Sequence, residues 1–196
     1  MAKFNYLTNA TEVSKQIMQE KMKTAKVVVD ATLGNGNDLL YLMRQDVNNA
    51  RFYGFDIQEL AIENSHQKIA ESREKNKRVQ LICDSHANMM AYIHEPVDLF
   101  IYNLGYLPKG DHQVTTKANS TIQAVNQSLE LLANEGLIVI AVYHGHEEGK
   151  LEKLALESHL KGLNQKLFTV AKFEFINQIN HPPFLYIIEK SKGIID

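Results

Sequence analysis

The chain has 196 residues, with 44% hydrophobic and 22% charged side chains, ordinary globular usage that excludes a disordered, collagenous or fibrous protein. Its 21 Lys and Arg stand against 23 Asp and Glu, a formal net charge of -2, so there is no global field to hold a polyanion and nucleic acid would need a local patch or a shaped pocket. The lone Cys83 excludes a disulfide framework and a four-cysteine zinc site; with no apolar leader and no window near the ~20 apolar residues of a membrane span, the expectation is one compact domain over residues 1–196, cytoplasmic and without membrane contact.

Asn9 followed by Glu12 forms a capping box, and Val13, Ile17 and Met22 fall near one stripe, so a first helix is expected over 9–23, packing on the core. From there the chain alternates. The apolar run 26–31 reads as a buried strand, 38–45 as a helix with Leu39, Leu42 and Met43 inward, 51–56 as a strand, 59–73 as a helix and 79–83 as a third strand. A short helix near 87–93 precedes a fourth strand at 97–102 and a loop from 103 to about 114. The long helix 116–134 then has Gly136 as its stop. A fifth strand at 137–143, a helix at 147–163 and two β-rich runs at 166–175 and 184–189 complete the order. The last loop leaves no room for a helix, so the final pair is antiparallel. Five βα units and this C-terminal antiparallel hairpin give an α/β fold, a seven-stranded, mostly parallel, doubly wound sheet with helices on both faces.

In such sheets a ligand binds beyond the carboxyl ends of the strands, at the switch point. The residues there are Asp30 to Asp38 (D-A-T-L-G-N-G-N-D), Asp56-Ile57-Gln58, Asp84-Ser85-His86 and Asn103-Leu104-Gly105-Tyr106. Gly34 and Gly36 permit a tight turn and a close approach of ligand to backbone. Asp56 lies twenty positions past Gly36, where a carboxylate accepts both hydroxyls of an adenosine ribose. A dinucleotide would set its pyrophosphate on this turn, where an acid is repulsive and a third glycine is wanted. Asp30 before the turn and Asp38 inside it instead favour S-adenosyl-L-methionine, whose ammonium and sulfonium are attracted by carboxylates. Asp84, Ser85 and His86 then flank the adenine side, and Asn35, Asn37 and Gln58 are candidate amide contacts. The competing reading makes Asp56 and Asp84 helix N-caps and the two asparagines plain turn residues; four such sites at consecutive strand ends weigh against it.

Asn103, a candidate for both catalysis and cofactor contact, stands where an acceptor meets the transferred methyl; its carbonyl would orient an amine, and Tyr106 would stack on a base. His144 and His146, after the fifth strand, are read as bordering the acceptor pocket rather than as metal ligands, since no third ligand is evident and no metal is expected. The loop Asn177 to Phe184 is either a stiff connection set by Pro182 and Pro183 or a wall of that pocket.

Taken together, D-A-T-L-G-N-G-N-D, D-I-Q, N-L-G-Y-L-P-K-G-D-H, Y-H-G-H-E-E-G and N-x-x-N-x-P-P resemble the small Rossmann-like class I methyltransferases once labelled rRNA methylases and now assigned as tRNA 5-(aminomethyl)uridine methyltransferases of Gram-positive bacteria. The resemblance covers essentially the whole chain. It implies transfer of a methyl group from S-adenosyl-L-methionine to the primary amine of 5-aminomethyl-(2-thio)uridine at the tRNA wobble position, with the anticodon stem-loop as partner and no DNA. It also places Asp111 and His112 beside Asn103, Tyr106, His144 and His146 as catalytic candidates, the acid and histidines as proton acceptors. A methyltransferase of rRNA or of a small amine, an NAD-dependent oxidoreductase and a non-catalytic nucleotide-binding module are the alternatives. The first helix and the helices flanking the edge strands are candidate faces for a homodimer.

Overall fold

The computed structural model describes residues 7–105, 118–144, 147–179 and 182–193. Its elements are α1 (Ala10–Met22), β1 (Val27–Asp30), α2 (Asn37–Gln45), β2 (Arg51–Asp56), α3 (Glu59–Ala70), β3 (Arg78–Cys83), a 3-10 helix (His86–Ala91), β4 (Val97–Leu104), α4 (Ala118–Leu131), β5 (Leu132–Val142), α5 (Glu147–Lys161), β6 (Phe168–Phe173) and β7 (Phe184–Lys190). The seven strands lie in the order β3-β2-β1-β4-β5-β7-β6. β1 to β5 are parallel, and β7 runs antiparallel to both β5 and β6. Because β1 pairs with β2 on one side and β4 on the other, the strand order reverses beside Asp30, which places the crevice of a doubly wound sheet there.

Alternation along the strands fills two core layers. Val27 and Val29 face a cluster with Phe55, Phe100, Tyr102, Met89, Val125 and Leu156, whereas Val28 faces the opposite one with Met22, Leu39, Leu42, Met43, Phe52 and Leu99. Helices α1, α2 and α3 cover the second face; α4, α5 and the 3-10 helix cover the first. At the start of α1, Asn9 Oδ1 accepts from the Glu12 amide at 2.8 Å, one half of the capping box. The Glu12 carboxylate turns instead to Lys15 at 2.8 Å.

Two of the boundaries that differ from the sequence reading have a physical reason or a bearing on the site. Helix α4 ends at Leu131, and Gly136 lies inside β5 rather than beyond a helix. Pairing jumps from Val97↔Leu132 to Leu99↔Leu137, so residues 133–136 bulge out of the ladder. The left-handed residue there is Glu135, φ 59°, and Gly136 is required for space, since a Cβ would sit 2.7 Å from the Ala133 carbonyl oxygen. The second difference is that β4 runs on to Leu104, so Asn103 is a strand residue paired with Ala141. A strand holds a side chain more firmly than a loop.

An ion pair with a buried acid joins the segment entering β2 to the segment entering β3. The Asp46 side chain is shielded from solvent, accepts from Lys77 Nζ at 2.8 Å, and takes amide bonds from Asn48 at 2.9 Å and Ala50 at 3.2 Å. Burial alone would raise its pKa; the Lys77 and amide bonds outweigh burial and hold it below the ordinary carboxylate value. A depressed carboxylate adds stability above the unfolded-state pKa and loses it as pH falls through the folded-state value. Asp46→Asn is therefore expected to cost about 1–3 kcal/mol at neutral pH. In urea titrations the gap to wild type narrows once pH drops below about 4. A gap that widens in acid would contradict this.

Candidate active site

The turn after β1 carries two left-handed glycines, Gly34 (φ 52°) and Gly36 (φ 67°). Gly36 caps α2 by geometry alone, because no side chain bonds the end of that helix. Almost every amide of the turn has an internal acceptor. Thr32 N–H donates to Asp30 Oδ1 at 3.1 Å, Leu33 to the Phe55 carbonyl at 2.8 Å, Gly34 to Asp56 Oδ2 at 2.8 Å and Gly36 to the Leu33 carbonyl at 2.8 Å. Asp56 also accepts from the Gln58 amide through Oδ1 at 2.9 Å. It is no N-cap, since that position of α3 belongs to Gln58. It fastens the end of β2 to the glycine turn instead, and each oxygen keeps a lone pair for a ribose hydroxyl.

Asp30 is 1% exposed, and its Oδ2 has no hydrogen-bond partner. Burial, then the nearby Asp38 and Asp56 charges, push its pKa well above the carboxylate range against the opposing Thr32 and Leu39 amides. A buried acid with one oxygen unpartnered beside two further acids suits a cationic ligand and repels a pyrophosphate. The residues present thus fit the ammonium and sulfonium of S-adenosyl-L-methionine, for which Asp30 and Asp38 would face the charged end and Asp56 the ribose. Ile57, 59% exposed between Asp56 and Gln58, offers an apolar face for a base; the sequence reading passed over it.

Beyond β3, Asp84 accepts from the Ser85 amide at 2.6 Å, Asn88 Nδ2 at 2.9 Å and the Tyr92 hydroxyl at 2.8 Å. The Asn88 bond, then the Tyr92 bond, lower its pKa. Ser85 caps the 3-10 helix by accepting from the Ala87 amide. His86 Nδ1 lies 3.0 Å from the Ala31 carbonyl, its ring edge-on to Tyr102, and burial lowers its pKa. A neutral ring with Nδ1 as donor satisfies that carbonyl and leaves a buried Nε2 without a partner. Asn37 Oδ1 and the Asn35 carbonyl are both held by Lys68 Nζ at 2.6 Å, so Asn37 points its side-chain oxygen at α3.

Asn103 links the end of β4 to the glycine turn and the start of α2. Its amide donates to Thr32 Oγ1 at 2.7 Å and its Nδ2 to Asp38 Oδ2 at 2.9 Å. Because Asp38 only accepts, the Asn103 side chain is fixed with its carbonyl as the remaining acceptor. Thr32 and the orienting contact of Asp38 were not read from the sequence, where Asp38 figured only as charge. On the far side of β4, the Tyr143 amide donates to the Leu104 carbonyl at 3.1 Å, and a Cβ on Gly105 (φ 145°) would meet Tyr143 at 3.2 Å. His144 follows, its ring 5.3 Å from that of Phe184 at the start of β7. The start of the hairpin strand thus lies against a residue just beyond β5. Tyr106, Asp111, His112 and His146 lie outside the described residues.

A mostly parallel sheet with this strand order and an antiparallel β7, an acid-flanked glycine turn at its switch point and a carboxylate at the end of β2 are the architecture of a class I methyltransferase. Residues 52–189 match the model of the family described as "Putative rRNA methylase", and the chain belongs to that family. A chloroplastic tRNA (mnm(5)s(2)U34)-methyltransferase of Arabidopsis thaliana is 30% identical over 191 residues, 92% of this chain and 69% of the relative. The crystal structure of a "putative rRNA-methylase" from Clostridium thermocellum is 40% identical with a TM-score of 0.88, covering 96% of this chain and all (100%) of that one. That of a "putative methyltransferase" from Streptococcus mutans, in complex with SAH, is 37% identical with a TM-score of 0.83, covering 97% and 99%.

Proposed function

We propose that this methyltransferase acts in the cytoplasm on the anticodon stem-loop of tRNA, converting 5-aminomethyl-(2-thio)uridine at the wobble position to the 5-methylaminomethyl form. S-adenosyl-L-methionine is the cofactor. The observation that carries the reading is the Asn103 amide, turned by Asp38 so that its carbonyl remains as an acceptor at the end of β4. That arrangement suits a nitrogen nucleophile, which brings its own lone pair and needs orientation more than a strong base. The name of the Arabidopsis relative supports the same substrate.

When bound, the cofactor supplies an electrophilic methyl group on a positively charged sulfur. Asp56 holds the ribose, and Asp30 with Asp38 balances the charge. Asn103 Oδ1 accepts one N–H of the neutral substrate amine and directs its lone pair. A nitrogen–carbon bond forms as the carbon–sulfur bond breaks, its electron pair going to sulfur, and the resulting secondary ammonium releases a proton to solvent. His144 borders this pocket.

Asp30 adds a pH dependence. A cationic ligand beside it favours its ionised form, so binding releases a proton and tightens as pH rises towards the elevated pKa of the free enzyme. Calorimetry of S-adenosylhomocysteine, which retains the ammonium, in two buffers of different ionisation heat is expected to show that proton. Equal heats in both buffers and a dissociation constant independent of pH would contradict the assignment of Asp30.

The function itself is tested by a mass spectrum of wobble nucleosides from cells with and without the protein. Accumulation of the unmethylated aminomethyl nucleoside in its absence is expected. An unchanged nucleoside profile would refute the proposal and favour a small amine as acceptor, which the net charge of -2 would also suit.

A further inference from the structure

The glycine turn is held from behind by two side chains of α3 that neither the cofactor nor the acceptor requires. Ser65, fully buried, donates from Oγ to the Gly34 carbonyl at 3.1 Å. Lys68, three residues on and therefore on the same helix face, donates from Nζ to the Asn35 carbonyl and to Asn37 Oδ1, both at 2.6 Å. The fit is close, for a Cβ on Gly36 would lie 2.7 Å from Ser65 Oγ.

The carbonyl and N–H of one trans peptide point in opposite directions. With the Gly34 carbonyl drawn to Ser65, the Asn35 N–H of the same peptide is aimed away from α3. It is the one amide between residues 32 and 36 without an acceptor among the described residues. The next peptide is fastened at both ends, its carbonyl to Lys68 and its Gly36 N–H to the Leu33 carbonyl. Two left-handed glycines would otherwise let these peptides rotate at little cost.

We propose that Ser65 and Lys68 are positioning residues of the methyl-donor site, locking the turn so that the Asn35 N–H is presented to the anionic carboxylate of the bound amino-acid moiety. The inference rests on the donor assignment above and goes beyond it by naming what fixes the loop.

The test compares wild type with Lys68→Met, Lys68→Arg and Ser65→Ala, reading the dissociation constant of S-adenosylhomocysteine, KM and kcat with S-adenosyl-L-methionine, and the amide signal of Asn35 in nitrogen-15 spectra. In wild type the Asn35 signal shifts on binding. Lys68→Met raises the dissociation constant and the donor KM about tenfold, as expected for loss of a charged hydrogen bond, while kcat at saturating donor and KM for RNA stay within about twofold. Lys68→Arg recovers most of the loss, and Ser65→Ala moves the free-state Asn35 signal. A fall in melting temperature with donor affinity unchanged, or an Asn35 signal that ignores the ligand, would overturn the proposal. Failure of the donor assignment itself is distinguishable, because wild type would then bind no S-adenosylhomocysteine before any substitution is made.

Discussion

Asn103→Ala is expected to lower the turnover number for methyl transfer about a hundredfold, with S-adenosylhomocysteine affinity within about threefold of wild type. The reason is local. Asn103 is fixed at three points, its strand pairing with Ala141, its amide bond to Thr32 and its side-chain bond to Asp38, so its carbonyl is preorganised. The alanine variant keeps the strand and the Thr32 bond, and loses the side-chain amide, both its contact to Asp38 and the carbonyl that orients the amine. Single-turnover kinetics with saturating donor measure the effect. A rise in the KM of either substrate with turnover intact would mean that Asn103 only binds.

Asp56→Ala acts on the other half of the site. Its carboxylate accepts the amides of Gly34 and Gln58, so removal strands two donors and frees the turn from the end of β2. Folding stability is expected to fall by about 1–3 kcal/mol. Loss of charged hydrogen bonds to the ribose raises the donor dissociation constant between about tenfold and a hundredfold. Asp56→Asn separates the two effects, because a neutral amide still accepts one N–H but holds the ribose less well. Turnover at saturating donor should survive in both variants, opposite to the pattern for Asn103. Donor affinity unchanged in Asp56→Ala would remove Asp56 from the cofactor site.

These two residues show how far the sequence was legible. The βα order, the antiparallel C-terminal pair and Asp56 at a strand end followed from apolar runs, turn residues and spacing, because periodicity reports which faces are buried. The boundary at Gly136 did not follow: a glycine after a helical pattern reads as a stop, whereas here it relieves crowding in a bulge whose left-handed residue is Glu135. The cluster of acids was visible, but not its division of labour. Asp30 is a buried, protonation-prone carboxyl, Asp38 orients Asn103, Asp56 staples the turn, and Asp84 is occupied by Asn88 and Tyr92. Such partners lie as many as 65 positions apart, as for Asp38 and Asn103, and no local pattern reports them. Ser65 and Lys68 were hidden for the same reason, reading as ordinary polar residues in the second half of α3.

The most direct test of the central claim is transfer of labelled methyl from S-adenosyl-L-methionine to tRNA taken from cells lacking this protein, followed by nucleoside analysis. The account predicts label in the 5-methylaminomethyl nucleoside at the wobble position, dependent on Asn103 and Asp56. Label in another nucleoside, or none in RNA while the enzyme binds the donor, would contradict it.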